Sequence, residues 1–291
     1  MRPYFYRAMA TCRRLFYLLI RTRLDEAHTA AYKLRTRQLI GASCSHGIIL
    51  SYPKSGRTWV ESMLSRLYVR RFGLPDTRIL DFQEDREELP GLPYFFFTHD
   101  YAHVTHGQWL IPQRRRRRHF RATPTVFIVR YPIDTAVSMY FQQSRRERNL
   151  DQVDIYEFVT THQGGLETII EFMNFWAREL PHIRKHKIVR YEDLSSDAYQ
   201  SFGEIARFFD LDFEDADIRE AVEFARFDNL QQLEKDGKLA DWRFSESRVE
   251  DQDDMKVRRG KVGGYKDYFD EAQCKELERI VAGSLDPVYG Y

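Results

Sequence analysis

The chain has 291 residues, 45 Lys plus Arg set against 44 Asp plus Glu, 43% hydrophobic residues and 14% aromatics. That apolar content offsets chain entropy, which excludes a disordered chain, and no apolar run approaches the roughly 20 residues that span a bilayer. Cys12, Cys44 and Cys274 are too scattered for a disulfide framework or a zinc pair, which points to a reducing compartment and a cytoplasmic protein.

A net charge near zero hides local segregation. Residues 1–24 hold six arginines (Arg2, Arg7, Arg13, Arg14, Arg21 and Arg23) and no acid. Arg114 to Arg118 form an unbroken run, followed by His119 and Arg121, and acids cluster at Asp81–Glu88 and Asp210–Glu220. Residues 1–40 read as a basic helical extension in which Tyr4, Ala8, Leu15, Leu18 and Leu19 form an apolar stripe closely bordered by Arg14. Such a helix suits either peripheral contact with an anionic membrane through residues 1–24, or packing on the domain with its arginines solvated.

Four short apolar segments then read as strands: Gly47–Tyr52, Tyr94–Phe97, Thr125–Val129 and Lys187–Tyr191. Helical spacing follows the first at Val60, Met63, Leu64, Leu67 and Tyr68, and the third at Ala136, Val137, Tyr140 and Phe141. Further helices are predicted over Leu166–Arg178, Ala198–Phe209 and Glu271–Ser284. Buried strands alternating with helices predict one α/β domain over 41–291, a central parallel sheet with helices on both faces.

The first strand runs into Ser51-Tyr52-Pro53-Lys54-Ser55-Gly56-Arg57-Thr58-Trp59. A glycine at a strand-to-helix turn lets N–H groups converge on an anion, the helix N-terminus adds partial positive charge, and Lys54 adds a full one. A Walker A loop ends in Gly-Lys-Ser/Thr, whereas here the lysine precedes the glycine, so a nucleotide hydrolase or kinase is the weaker reading. After the third strand come Arg130 and Ser138, eight residues apart, a spacing that lets a strand-end arginine and a helix serine face one pocket.

The turn resembles the 5′-phosphosulfate loop of sulfotransferases that use 3′-phosphoadenosine 5′-phosphosulfate (PAPS), Tyr-Pro-Lys-Ser-Gly-Thr-Thr-Trp, with Arg57 in place of the first Thr. Arg130 and Ser138 resemble that family's 3′-phosphate site. Arg258-Arg259-Gly260-Lys261-Val262-Gly263-Gly264-Tyr265-Lys266 resembles its Arg-Lys-Gly-x-x-Gly-Asp-Trp-Lys loop, with Arg259, Gly264 and Tyr265 as departures. Tyr191-Glu192-Asp193-Leu194 is similar to its segment near the adenine, and Phe227 and Trp59 fall where its members place aromatics against the base. The resemblance, running from about residue 47 to 269, implies a P-loop-like phosphosulfate-binding loop. It also implies PAPS as cosubstrate, adenosine 3′,5′-bisphosphate as product and no metal. Lys54, Ser55, Gly56, Arg57, Thr58, Trp59, Arg130, Ser138, Tyr191, Phe227, Arg258, Arg259 and Gly260 would hold the nucleotide.

The family carries a Lys-Thr-His pattern after its second strand. Thr98-His99 matches it here, which implies His99 as general base and Lys54 as the group stabilising charge on the leaving phosphate. Two departures stand out: Phe97 where the family has lysine, and Asp100-Tyr101 where Leu-Pro is common. Arg57 is a candidate to replace that lysine, and Asp100 reads as a solvated loop acid ahead of a group that orients an imidazole or recognises a polar acceptor. His99, His103 and His106 have spacing that could suit zinc, but the Glu of a His-Glu-x-x-His site is missing. The family dimer motif is also missing around Lys266, Asp270, Glu271 and Lys275. The implied acceptor is a hydroxyl on a small molecule or lipid. The rival class, a basic nucleic-acid-binding protein, would use Arg114–Arg118 and the N-terminal arginines. A pI of 7.8 and aromatics lying in apolar runs argue against it, and no nucleic acid is expected as partner.

Overall fold

The computed structural model describes residues 40–100, 118–146, 150, 153–162, 164–239 and 258–291. The predicted extension up to residue 39, the arginines at 114–117, and His103 and His106 lie outside the described residues. In chain order the elements are β1 (Gly47–Ser51), α1 (Arg57–Arg71), β2 (Phe95–Thr98), β3 (Thr125–Val129), α2 (Pro132–Phe141), α3 (Ile155–Thr161) and α4 (Leu166–Glu179). Then follow β4 (His186–Arg190), α5 (Tyr191–Ser196), α6 (Ala198–Phe208), α7 (Asp215–Phe224), α8 (Phe227–Lys235) and α9 (Glu271–Ser284).

The strands form one parallel sheet in the order β2-β1-β3-β4, with Leu50 opposite both Thr98 and Phe127. Alternate side chains of β1, β2 and β3 enter two separate cores. Ile48, Leu50, Phe96, Phe127 and Val129 pack with residues of α2, α4 and α9. Ile49, Phe95, Phe97, Val126 and Ile128 pack with residues of α1, α6 and α7. Both faces are therefore covered, which is why these strands read as continuous apolar runs and not as an alternating pattern.

Local chemistry sets the helix ends. Asp197 caps α6 by accepting from Gln200 N–H, and Asp270 and Gln273 form a reciprocal capping box at the start of α9. Proline opens α2 at a position that needs no N–H donor. Helix α1 is buried nearly all round, polar positions included. Arg66 is accommodated because Glu220 of α7 accepts from its Nε at 2.8 Å and Asp76 accepts from Nη1 at 2.8 Å.

The predicted strands and long helices are present, with boundaries moved by a residue or two. The last strand ends at Arg190, and Tyr191 instead opens α5. Helices α7 and α8 went unpredicted, although Ile218, Ala221 and Val222, and Phe227, Leu230 and Leu233, recur at helical spacing. Within the acid block Asp210–Glu220, Glu214 and Asp217 form a capping box, while Ile218 and Ala221 are buried. Because β2 lies on one side of β1 and β3 on the other, a topological switch point falls between β1 and β3. The region beyond their carboxyl ends is the usual ligand position in open α/β sheets.

Phe127 sits at the centre of this architecture, fully buried and within 6.2 Å, centroid to centroid, of Phe172, Trp176 and Tyr289. Phe127→Ala should lower unfolding stability by about 3–5 kcal/mol, measured by urea denaturation at constant m-value.

Candidate active site

The chain leaves β1 through a turn with two left-handed residues, Lys54 at φ 67° and Gly56 at φ 100°. For lysine this conformation is strained; for glycine it is free. The N–H groups of Ser55, Gly56 and Thr58 donate to no acceptor among the described residues. The first turn of α1 contains no acid, so the partial positive charge of its N-terminus is not neutralised there. Lys54 Nζ donates to Gln142 Oε1 at 3.0 Å, which holds the amine beside the end of α2. Ser55 is buried within the turn, and Arg57 and Thr58 open α1.

An aromatic wall stands next to this turn. The Tyr191 ring lies 5.7 Å from Trp59, and Trp59 Nε1 donates to the Ala225 carbonyl at 2.7 Å. A Cβ on Gly56 would come within 2.7 Å of the Tyr191 ring. A Cβ on Gly260 would come within 2.7 Å of Phe227 and 3.3 Å of the Tyr191 hydroxyl, so backbone approaches aromatic surface at both glycines. Tyr191 donates to the Gly260 carbonyl at 3.0 Å, and burial pushes its phenol pKa up despite the neighbouring Arg130.

Arg130 joins three segments. Its guanidinium carbon lies 4.4 Å from the centroid of the Tyr191 ring. Nη1 donates to the Lys54 carbonyl at 3.5 Å, Nη2 donates to the Lys261 carbonyl at 3.1 Å, and Nε has no partner among the described residues. Ser138 lies on α2, half-buried, with its hydroxyl bonded to none of the described residues.

The basic loop is held on both sides. Arg258 stacks 3.9 Å from Phe141 and donates to the Tyr268 hydroxyl at 2.6 Å. Arg259 donates to the same hydroxyl at 2.9 Å and to Asp267 at 2.5 Å, while Lys261 reaches Asp267 at 2.7 Å. These cations hold the Asp267 carboxyl below its ordinary pKa, Lys261 contributing most. The buried Asp134 carboxylate accepts from the N–H groups of Gly263 at 2.7 Å and Tyr265 at 2.9 Å. Tyr265 donates to Glu278 at 2.5 Å, so the hydroxyl absent from the family tryptophan ties this loop to α9.

His99 follows β2 directly. Its Nδ1 is 2.8 Å from the Ser51 carbonyl and 3.3 Å from Ser51 Oγ. A carbonyl only accepts, so Nδ1 carries a proton, and the tautomer this bond selects for a neutral ring is the one with its lone pair on Nε2. Phe97 is directed into the core, 5.7 Å from Phe82. Asp100 corrects the solvated-acid reading: it is 0% exposed, takes φ 43°, and its N–H donates to Thr98 Oγ1 at 2.9 Å.

The structure thus connects Lys54, Gly56, Trp59, Arg130, Tyr191, Phe227 and Gly260 in one continuous set of contacts. Sequence reasoning missed Gln142 and Asp134, although both lie four residues from Ser138 on the helix face already marked as part of the site.

The family described as the sulfotransferase domain matches residues 45–286. This chain belongs to the sulfotransferase family. Among curated sulfotransferases, sulfotransferase 6B1 of Danio rerio is 23% identical over 254 residues, 82% of this chain and 77% of its own. Flavonol 3-sulfotransferase of Flaveria bidentis is 22% identical over 275 residues, 87% of this chain and 86% of its own. Among solved structures, retinol dehydratase in complex with androsterone and the inactive cofactor PAP superposes with a TM-score of 0.58 at 18% identity, covering 86% of this chain and 84% of that one. Mouse sulfotransferase SULT7A1 complexed with PAP gives 0.55 at 20% identity over 86% and 88%. These structural likenesses establish the fold of this sulfotransferase.

Gly56 is required twice, for its left-handed backbone and for the space beside Tyr191. Gly56→Ala should displace the Tyr191 ring and perturb Trp59. The expected readouts are an altered near-ultraviolet circular dichroism spectrum and roughly 1–3 kcal/mol of lost stability.

Proposed function

We propose that this sulfotransferase moves a sulfuryl group from PAPS to an acceptor hydroxyl, releasing adenosine 3′,5′-bisphosphate. The observation that carries this reading is Arg130, which places unpartnered Nε–H beside the Tyr191 ring and between the two basic segments. A nucleotide with phosphates at both ends fits that donor set. The N–H groups of Ser55, Gly56 and Thr58 with Lys54 suit the 5′ end; Arg130, Ser138, Arg258, Arg259 and the Gly260 turn suit the 3′-phosphate. Trp59 and Phe227 beside Tyr191 suit a base.

PAPS supplies a sulfuryl group on a phosphate leaving group. Such transfer proceeds through a loose transition state, so the protein contributes mainly alignment and charge. His99 Nε2 takes the acceptor hydroxyl proton, and the Nδ1–H bond to Ser51 keeps the ring in the tautomer that this needs. Lys54 and the α1 N-terminus stabilise negative charge where the leaving phosphate forms. Arg57 at the first position of α1 is the cation we assign to the sulfonate in place of the lysine that Phe97 replaces. The acceptor is a small-molecule or lipid hydroxyl and the enzyme acts in the cytoplasm; several relatives bear the name cytosolic sulfotransferase.

Calorimetry with adenosine 3′,5′-bisphosphate tests the nucleotide assignment. Arg130→Ala should lose about 1.5–3 kcal/mol of binding, the scale of a charged hydrogen bond, and Ser138→Ala less. Unchanged affinity in both variants, with the fold intact, would overturn it.

His99→Ala separates chemistry from binding. Nucleotide affinity should stay near wild type while turnover with a hydroxyl acceptor falls by roughly 10²–10⁴-fold. Full turnover in this variant would place the base elsewhere.

A further inference from the structure

Tyr291 lies outside every motif described above, yet it reaches the turn that carries Arg130. Its hydroxyl donates to Glu192 Oε2 at 2.7 Å, and the other oxygen of the same carboxylate accepts from the Tyr131 N–H at 2.9 Å. Tyr131 is the residue after Arg130, and Glu192 is the residue after Tyr191. The last residues before α2 are therefore gripped twice by the start of α5: Tyr191 receives the Arg130 guanidinium on its ring, and Glu192 holds the next N–H.

Tyr291 is itself fixed. Its ring lies 5.4 Å from that of Tyr131, and the Arg190 guanidinium carbon lies 5.5 Å from its centroid. Arg190 also donates to the Gly290 carbonyl at 3.1 Å and pairs with Asp193 at 3.0 Å. Burial, with Glu192 close by, pushes the Tyr291 phenol pKa far up, so the proton stays on tyrosine and the hydroxyl remains a donor.

Glu192 is the carboxylate attached to the turn next to Arg130, yet Arg130 makes no ion pair among the described residues. With one oxygen bonded to the Tyr131 N–H and the other to the Tyr291 hydroxyl, this carboxylate is oriented toward those two donors and not toward the guanidinium. We propose that Tyr291 and Glu192 are positioning residues that hold the Arg130 turn and keep this carboxylate off Arg130, leaving the guanidinium for the 3′-phosphate. The proposal rests on the nucleotide reading above and adds two residues to it.

The experiment compares adenosine 3′,5′-bisphosphate with adenosine 5′-phosphate, which lacks the 3′ group, by calorimetry on the full chain. Tyr291→Phe removes one oxygen and should weaken adenosine 3′,5′-bisphosphate by about 5–20-fold while leaving adenosine 5′-phosphate within about twofold. The KM for PAPS should rise with kcat nearly unchanged. Glu192→Asp, one methylene too short to bridge Tyr131 and Tyr291, should show the same selective loss and serves if Tyr291→Phe folds poorly. Glu192→Gln, whose amide can still bond both partners, should restore most of the affinity. Equal weakening of both nucleotides would reduce the pair to a general structural role and overturn the proposal, as would no change in either. If the wild-type protein did not distinguish the two nucleotides, the nucleotide reading itself would fail first.

Discussion

The placement of one guanidinium decides how the site is built. Arg130 directly follows β3, whose neighbours in the sheet are β1 and β4, with carboxyl ends alongside at the ordinary inter-strand spacing of about 4.8 Å. A long side chain at that point can reach the turn after β1 on one side and the residue after β4 on the other. It does both, donating to Lys54 O and resting on the Tyr191 ring. A cation over an aromatic face contributes about 0.5–2 kcal/mol, less than a buried ion pair would cost to break, so Arg130 is located without being neutralised. The parallel sheet is thus the means by which residues 54, 130 and 191 become neighbours.

The second constraint is the loop at 258–267, which carries charge but little apolar surface. Chain entropy would leave such a segment open unless backbone groups are fixed. Asp134 supplies that fixation from α2 by accepting two N–H bonds with one buried carboxylate, and Tyr265 adds a bond to α9. Lys261 then presents its carbonyl to Arg130. Helix α2 therefore serves the site twice, through Asp134 to the loop and through Gln142, one residue past its end, to Lys54.

The sheet was legible in sequence because all-buried strands leave short apolar runs. The phosphate turn was legible because Lys54 and Gly56 between a buried strand and a helix start are what an anion-binding turn requires. Helices α7 and α8 were not read from sequence: they are only ten and nine residues long, against fourteen for α9, so each offers few turns over which a helical spacing can repeat. Asp100 misled for a different reason. An acid after a strand ordinarily meets water, and only the left-handed turn with its Thr98 bond shows it enclosed. The roles of Asp134 and Glu192 were harder to read, because both accept backbone N–H groups and backbone donors have no residue signature.

The partners of the basic groups follow a gradient. Arg259 and Lys261 are held by a carboxylate, Asp267. Lys54 is held by the Gln142 amide, Arg258 by a phenol and a phenyl ring, and Arg130 by two carbonyls and a ring. A neutral partner fixes direction but leaves the monopole intact, whereas a carboxylate cancels it within a few ångströms. Arg130, with two carbonyls and a ring about it, is positioned in this way by dipoles. A phosphate ligand that pairs with its charge stabilises the folded state by mass action. In keeping with this, no acid begins α1, and Glu192, on the residue after Tyr191, turns its two oxygens to Tyr131 and Tyr291. A single carboxylate released toward Arg130 would compete with the ligand for that charge.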